Sequence, residues 1–145
     1  MSDPTGKFCD RNQPKDIWFL AGTFGGTAQR ACRVPAGRPM LAPLVNLAST
    51  RAGCKKFMAA AKGKATLDGK PVTPERMEDA VVHVTSVADN PATGMGGTTT
   101  FYACGIWARF QPLPPGHHTL SIRGSSGAFH TAVDYTLTVE TAQQA

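Results

Sequence analysis

Residues 129–140 read FHTAVDYTLTVE, and apolar side chains occupy nearly every second position of this stretch. Thr131 is the one break in the apolar series. A period of two predicts a β-strand with one face in the core and the other in water. Strands of this kind belong to antiparallel sheets that are packed on one side. The apolar series consists of Phe129, Val133, Tyr135, Leu137 and Val139.

Shorter strand-like segments, separated by glycine- and proline-containing turns, fill most of the remaining chain. The Asp68-Gly69 pair predicts a tight hairpin, and Pro43 inside a strand predicts an edge position or a bulge. We interpret residues 73–78 as a polar connection, and residues 88–97 and 124–127 as flexible loops. The further candidate strands lie at 17–21, 27–34, 40–47, 65–67, 71–72, 81–87, 98–110 and 120–122.

One segment, near residues 50–62, has the spacing of a helix, and Gly63 is its predicted stop. The apolar face of this helix would consist of Cys54, Phe57, Met58 and Ala61. The basic residues on an adjacent stripe are interpreted as a solvated flank; they are Arg51, Lys55 and Lys62.

The spacing of these elements predicts one all-β domain over residues 1–145. We expect an antiparallel β-sandwich, either jelly-roll or immunoglobulin-like, with one inserted helix. Residues 1–8 are expected to be a loose N-terminal segment and residues 141–145 a tail. The 15 glycines and 11 prolines among 145 residues fit a turn-rich β-domain.

The N-terminus and the hydropathy pattern bear on the compartment. No apolar run approaches the roughly 18 residues that a membrane-spanning helix needs. Residues 1–10 lack the basic start and apolar core of a signal peptide. Two locations stay open at this point: the cytoplasm, or the cell exterior after removal of a signal.

Charge is unevenly distributed along the chain. Up to Lys70 there are 12 basic and 4 acidic residues, and after it 3 basic and 6 acidic residues. A solvated surface explains this split, and so does a basic face for an anionic partner. The candidate binding residues are Arg30, Arg33 and Arg38. Arg30 and Arg33 would point to opposite faces of a strand and could not serve one site, so Arg33 and Arg38, across the turn, are the better pair for binding one anionic partner.

Histidines are the remaining candidates for a polar site. His117 and His118 follow a proline-proline-glycine turn, and His130 shares a strand face with Asp134. Such residues could bind a ligand or move a proton, but they are also ordinary solvent-facing strand positions. No motif for catalysis, phosphate binding or metal binding is present, so we expect no catalytic residues, no metal and no cofactor.

Four cysteines, at positions 9, 32, 54 and 104, suggest disulfides and therefore an oxidising compartment. Their spacing alone leaves all three pairings open. It contains no Cys-x-x-Cys, which argues against a zinc site.

Several motifs in order resemble a family of uncharacterised secreted bacterial proteins, sometimes labelled "signal protein". The similarity runs from about residue 9 to about residue 140. The chain departs from the family pattern in a short segment between Asn46 and Cys54 and in having a cysteine at position 104. The matching stretches include IWFLAGTFGG at 17–26, RACRVPAG at 30–37, PLVN at 43–46, CKK at 54–56, LDG at 67–69, and YTLTV at 135–139.

The resemblance implies export and a β-rich domain, and it implies no activity. It also suggests that Cys9 pairs with Cys32, which leaves Cys54 to pair with Cys104. A loop of about 24 residues closed by the first bridge would stabilise the fold by roughly 3 kcal/mol in the chain-entropy model.

The sequence thus favours an exported, non-enzymatic binding module. Its expected partner is an extracytoplasmic protein or ligand, with an anionic glycan among the candidates and nucleic acid disfavoured. Two alternatives stay open: a small enzyme with a pocket between the sheets, and a structural subunit of a coat or surface assembly. The candidate binding residues are Arg33, Arg38, His117 and His118.

Overall fold

The computed structural model describes residues 3–86 and 96–141. Within these residues the chain forms nine strands and one helix. Most of the predicted loop at 88–97 and most of the tail lie outside the described residues. The elements are β1 (Trp18–Phe19), β2 (Gly26–Pro35), β3 (Met40–Ser49), α1 (Arg51–Ala60), β4 (Ala61–Leu67), β5 (Lys70–Val72), β6 (Glu75–Ser86), β7 (Gly97–Phe110), β8 (Gly116–Ser126) and β9 (Phe129–Glu140).

The strands form a sandwich of two sheets, as the sequence predicted. The four-stranded sheet has the order β1-β3-β7-β6, and the five-stranded sheet has the order β2-β9-β8-β4-β5. Within them, the orders β3-β7-β6 and β9-β8-β4 match the B-E-D and G-F-C orders of immunoglobulin-like sandwiches. Of the two predicted types, the immunoglobulin-like one is therefore observed. The sheets are mixed rather than wholly antiparallel, because β1 runs parallel to β3 and β2 runs parallel to β9.

The last strand contributes its predicted face to the core. Val133, Tyr135, Leu137 and Val139 are buried, and they meet inward-facing residues of the other sheet such as Ile106. Thr131 is buried as well, and its hydroxyl donates a hydrogen bond to the carbonyl of Leu44. The polar residue in the apolar series is therefore a core residue with a backbone partner.

Leu44 brings the two sheets into unusually close contact. A register shift between Pro43 and Val45 makes it the extra residue of a β-bulge, which confirms the bulge predicted at Pro43. Its carbonyl lies against Gly124 of β8, where a Cβ atom would have no room. Gly63 of β4 is similarly close, since a Cβ there would lie 3.0 Å from the Leu44 side chain.

These contacts correct two predicted boundaries. Gly63 is a strand residue and not the stop of the helix, which ends at Ala60. Residues 124–126 belong to β8, and only the next two residues form the turn. In both places the sequence pattern predicts that a glycine ends the element, whereas in the structure Gly63 and Gly124 lie within strands and make room for Leu44.

Most of the predicted connection at 73–78 is also strand, because β6 begins at Glu75. Its charged residues are tolerated since β6 lies at the edge of its sheet. Arg76 donates hydrogen bonds to the carbonyls of Met58 (2.8 Å) and Ala61 (3.5 Å), and so satisfies acceptors at the end of α1.

Two disulfides tie peripheral elements to the sheets. Cys9 is bonded to Cys32 of β2, and Cys54 of α1 is bonded to Cys104 of β7. The N-terminal segment also contacts β2, since the carbonyl of Thr5 accepts a hydrogen bond from the Ala31 amide. Residues 3–8 are thus held against the sandwich.

Candidate functional site

A cluster of basic side chains lies on the outer face of the five-stranded sheet. Lys62 and Lys64 of β4 are exposed, while Ala61 and Ala65 beside them are buried. Across the sheet, Lys64 is in register with Arg123 of β8. In the neighbouring row, Lys62 is in register with Ser125, which is in register with His130 of β9. We call Lys62, Lys64, Arg123 and His130 the basic patch.

The basic patch surrounds a shallow depression of about 380 Å³. The lining residues of the depression include no carboxylate and no phenylalanine, tyrosine or tryptophan. Its floor includes Gly63 and Gly124, which are in register with each other and carry no side chain.

The charges of the basic patch are only partly neutralised. The guanidinium of Arg123 forms two hydrogen bonds with the carboxylate of Asp134, at 2.9 and 3.2 Å. The hydrogen bond with Arg123 lowers the pKa of Asp134 below its usual value. Among the described residues, Lys62, Lys64 and His130 have neither a hydrogen-bonding partner nor an ion-pair partner for their side chains. Two ammonium groups are thus available to a ligand.

Arg33 and His117 lie on the same outer face, farther along the strands. Both are in register with Thr138 of β9, Arg33 from one side and His117 from the other. Arg33 forms an ion pair with Glu140 at 2.9 Å and, together with Lys7, lines a second depression of 420 Å³. Thr138 is six residues from Ala132 along β9, so this group lies about 20 Å from the basic patch.

Arg38 has a different environment from Arg33. Its guanidinium lies over the ring of Trp18 at 5.5 Å and donates a hydrogen bond to the carbonyl of Pro14 at 3.3 Å. The structure thus places Arg33 with His117 on one sheet face, and Arg38 against β1 and the chain that precedes it.

Arg30 is a core residue, with 4% of its surface exposed, and it is not available at the surface. Its guanidinium donates hydrogen bonds to the carbonyls of Asp3, Ala21 and Gly22 and to the hydroxyl of Tyr135. Arg30 and Arg33 point to opposite faces of β2, as predicted. Because the Arg30 side chain points into the core, its hydrogen bonds connect the N-terminal segment to Tyr135 of β9.

His118 joins two turns. Its ring lies 2.7 Å from the carboxylate of Asp68 and 2.7 Å from the carbonyl of Pro114. Because both partners are acceptors, the ring fits best with a proton on each nitrogen. The hydrogen bond with Asp68 raises the pKa of His118 and lowers that of Asp68. His118 therefore fixes the hairpin turn between β4 and β5 and has no ring nitrogen left for a ligand.

The sequence interpretation missed Lys64 and placed Lys62 on the flank of a helix. The useful signal is the run Ala61-Lys62-Gly63-Lys64-Ala65, in which the lysines alternate with small residues. That period of two indicates a strand with both lysines on one face. The histidine near Asp134 was noticed, but Asp134 pairs with Arg123 and not with His130.

The described residues contain no cluster of three or more histidine, cysteine or acidic side chains that could hold a metal ion. Likewise, α1 is far too short and polar to cross a membrane, and no other helix is described.

Comparisons with known proteins give a limited result. No family model matches the chain, and no curated protein matches it. Among solved structures, the chain is similar to the cysteine protease inhibitor EhICP2 from Entamoeba histolytica, with 11% identity, a TM-score of 0.37, and coverage of 88% of this chain and 99% of that chain. It is also similar to amebosin, with 9% identity, a TM-score of 0.32, and coverage of 88% and 100%. At these values the likeness says nothing about function, so the function is argued from the residues of this chain.

Proposed function

We propose that the protein is an exported, non-enzymatic binding module that recognises an anionic polysaccharide through the outer face of its five-stranded sheet. The observation that carries the proposal is the pair of exposed lysines, Lys62 and Lys64, which lack partners among the described residues and stand beside Arg123. Unpaired cations on a flat surface attract anionic groups without a deep cavity.

The shape of the face favours a polymer over a small ligand. Adjacent strands are about 4.8 Å apart, so the basic patch is about 10 Å wide across β4, β8 and β9. A second group, formed by Lys7, His117 and the Arg33–Glu140 ion pair, lies about 20 Å farther along the same face. A chain of charged sugars could contact both groups at once and gain affinity from each of them.

The depression has no phenylalanine, tyrosine or tryptophan in its lining and only the imidazole of His130 as a ring, which argues against single-stranded nucleic acid. Proteins that bind such strands interleave cations with aromatic rings on which bases stack. The depression is lined instead by glycines, a serine, a threonine and an alanine beside the charged residues. The lining also lacks the pair of carboxylates with which most glycoside hydrolases cleave their substrates.

Export is supported by the two disulfides, which persist in oxidising surroundings such as the cell exterior. The family resemblance noted from the sequence supports the same location.

The test is binding to heparin, used as a soluble sulfated polysaccharide, measured by calorimetry at low ionic strength. Replacing both patch lysines (Lys62→Ala with Lys64→Ala) should weaken binding about tenfold, since exposed ion pairs contribute up to about 1 kcal/mol each. The matched control replaces two exposed helix lysines (Lys55→Ala with Lys56→Ala), which changes the net charge equally. Equal losses in both double variants would mean that only net charge matters and would contradict a specific site.

A further inference from the structure

Trp107 lies on the outer surface of the four-stranded sheet. Its neighbours in β7, Ile106 and Ala108, are buried in the sandwich, so the indole points to the opposite side. Its cross-strand neighbours are Pro43 of β3 and Glu75 of β6. A tryptophan in this position contributes nothing to the core between the sheets.

The exposed part of the indole is carbon. Trp107 is half-buried, but its ring N–H is fully buried and has no hydrogen-bonding partner among the described residues. The surface that reaches solvent is therefore an apolar ring face. It lies in a depression of 330 Å³ whose other lining residues include Leu41 and Met77.

An ion pair lies at the edge of this depression, beside the exposed indole face of Trp107. The Arg109 guanidinium lies 3.4 Å from the Glu75 carboxylate, and more than half of each side chain is exposed. The guanidinium only donates hydrogen bonds and the carboxylate only accepts them. The ion pair thus places a hydrogen-bond donor, Arg109, next to a hydrogen-bond acceptor, Glu75, at the edge of the depression.

We propose that this depression binds a neutral pyranose unit of a carbohydrate. One side of a pyranose ring presents C–H groups, which can stack on the indole face, and its rim carries adjacent hydroxyls that both donate and accept hydrogen bonds. A volume of 330 Å³ falls within the usual range of small-ligand sites.

This site differs in position and chemistry from the basic patch. It lies on the other sheet, and its recognition rests on stacking and hydrogen bonds. Its net charge is small, because Arg109 is paired with Glu75 and Arg76, which also lines the depression, is paired with Glu78. Binding should therefore be insensitive to salt and unaffected by Lys62→Ala with Lys64→Ala, so the two proposals can fail separately.

The test is a fluorescence titration of the whole protein with cellohexaose, maltohexaose and chitohexaose. The chain has 2 tryptophans. Trp18 is only 5% exposed, so a change on binding would report Trp107. We expect saturable binding of at least one hexaose at millimolar concentration. Trp107→Ala should reduce its affinity about five- to tenfold, and Trp107→Phe should retain most of it.

Glu75→Gln and Arg109→Gln provide a second line of evidence, because both positions are exposed and the variants should fold. Each should weaken binding, as it removes one member of the ion pair. No saturable signal with any of the three hexaoses, or unchanged affinity in all of these variants, would overturn the proposal.

Discussion

At the scale of single residues, polar side chains that interrupt the apolar pattern have identifiable partners. Thr131 breaks the alternation of β9, and its hydroxyl satisfies the carbonyl of Leu44 at the bulge. Arg30 breaks the pattern of β2, and its guanidinium binds backbone carbonyls of the N-terminal segment and of residues 21–22. A buried polar group without a partner would cost a few kcal/mol, so each of these residues stabilises a specific chain path.

The Thr131 hydroxyl gives the first stability prediction. Thr131→Val keeps the shape of the side chain but leaves the Leu44 carbonyl without this donor. We expect a loss of about 1–2 kcal/mol in the free energy of unfolding, measured by denaturant titration. Thr136→Val, on the exposed face of the same strand, is the control and should change stability by less than about 0.5 kcal/mol. Equal effects of both variants would show that the buried hydrogen bond has no special role.

The His118–Asp68 contact gives a prediction about pH. The pKa of His118 is raised in the folded protein, so its stabilising effect is complete below the unfolded pKa of about 6.5 and is lost as pH rises through the folded value. The pKa of Asp68 is lowered, so its effect is present above about 3.9 and is lost as pH falls. The pair therefore stabilises the fold most between about pH 4 and 6.5.

We expect the melting temperature to fall as pH rises from about 6 to 8, and to fall less in Asp68→Asn. Asparagine suits this test because Asp68 has a φ of 51°, a left-handed conformation that asparagine also adopts. An identical pH dependence in the two proteins would exclude the pair as its source.

At the scale of elements, close contacts between the sheets decide where strands begin and end. β4 starts directly after α1, and its Gly63 packs closely against the Leu44 side chain. β8 extends to Ser126, and its Gly124 packs against the carbonyl of the same residue. The Ser126 hydroxyl donates a hydrogen bond to the carbonyl of Phe57, which holds the end of α1 against this sheet.

The contact between Leu44 and Gly124 predicts a large effect for a small change. Gly124→Ala would place a methyl group on the Leu44 carbonyl, so we expect a loss of about 1–3 kcal/mol in the free energy of unfolding. Gly22→Ala is the matched control, since a Cβ there would make an ordinary contact at 3.4 Å with Pro43. A Gly124→Ala protein as stable as the control variant would mean that the sheets separate easily at this point.

Periodicity was sufficient to predict the elements that have one clean pattern. The alternation in β9 and the Asp68-Gly69 turn both appear in the structure as expected, with positive φ angles of 51° and 80° in the turn. Periodicity failed at Gly63 and Gly124, because a glycine that admits a neighbouring strand has the same sequence signature as one that ends an element. It failed at Glu75 and Arg76 because edge strands tolerate charge.

The candidate site was predictable only in part for the same reason. Arg33 and His117 were named from the sequence, and the structure places them on the same face as the basic patch. Lys62 and Lys64 share that face because α1 ends at Ala60 and β4 begins at Ala61, with Gly63 packed against Leu44 of β3, and this packing is not visible in the local sequence pattern.

At the scale of the whole molecule, two disulfides hold the periphery to an immunoglobulin-like sandwich. The Cys9–Cys32 bridge spans 23 residues and the Cys54–Cys104 bridge spans 50. Removing each pair by double alanine substitution should cost about 3 and about 4 kcal/mol respectively in the chain-entropy model. Peptide mapping without reductant should recover both bridges, and a free thiol at Cys9 would contradict this connectivity.

The basic residues of the N-terminal half of the sequence gather on the outer face of the five-stranded sheet. One face of the sandwich carries four basic residues from the N-terminal half of the sequence, namely Lys62, Lys64, Arg33 and Lys7. Asp134, from the acidic C-terminal half, lies in the middle of that face. We expect heparin affinity to fall steeply with added salt, because exposed charges are screened over about 8 Å at physiological ionic strength. Arg33→Ala should weaken it less than either patch lysine, since Arg33 is already paired with Glu140.

The most direct test of the anion-binding face is an NMR titration of the isotopically labelled protein with a heparin hexasaccharide. The account predicts that the largest amide shifts fall in β4, β8 and β9 around Lys62, Lys64 and His130, with smaller shifts near Arg33. In Lys62→Ala with Lys64→Ala, the first group of shifts should need about tenfold more hexasaccharide to reach its midpoint. Shifts confined to α1 or to the four-stranded sheet, or spread evenly over all exposed lysines, would contradict it.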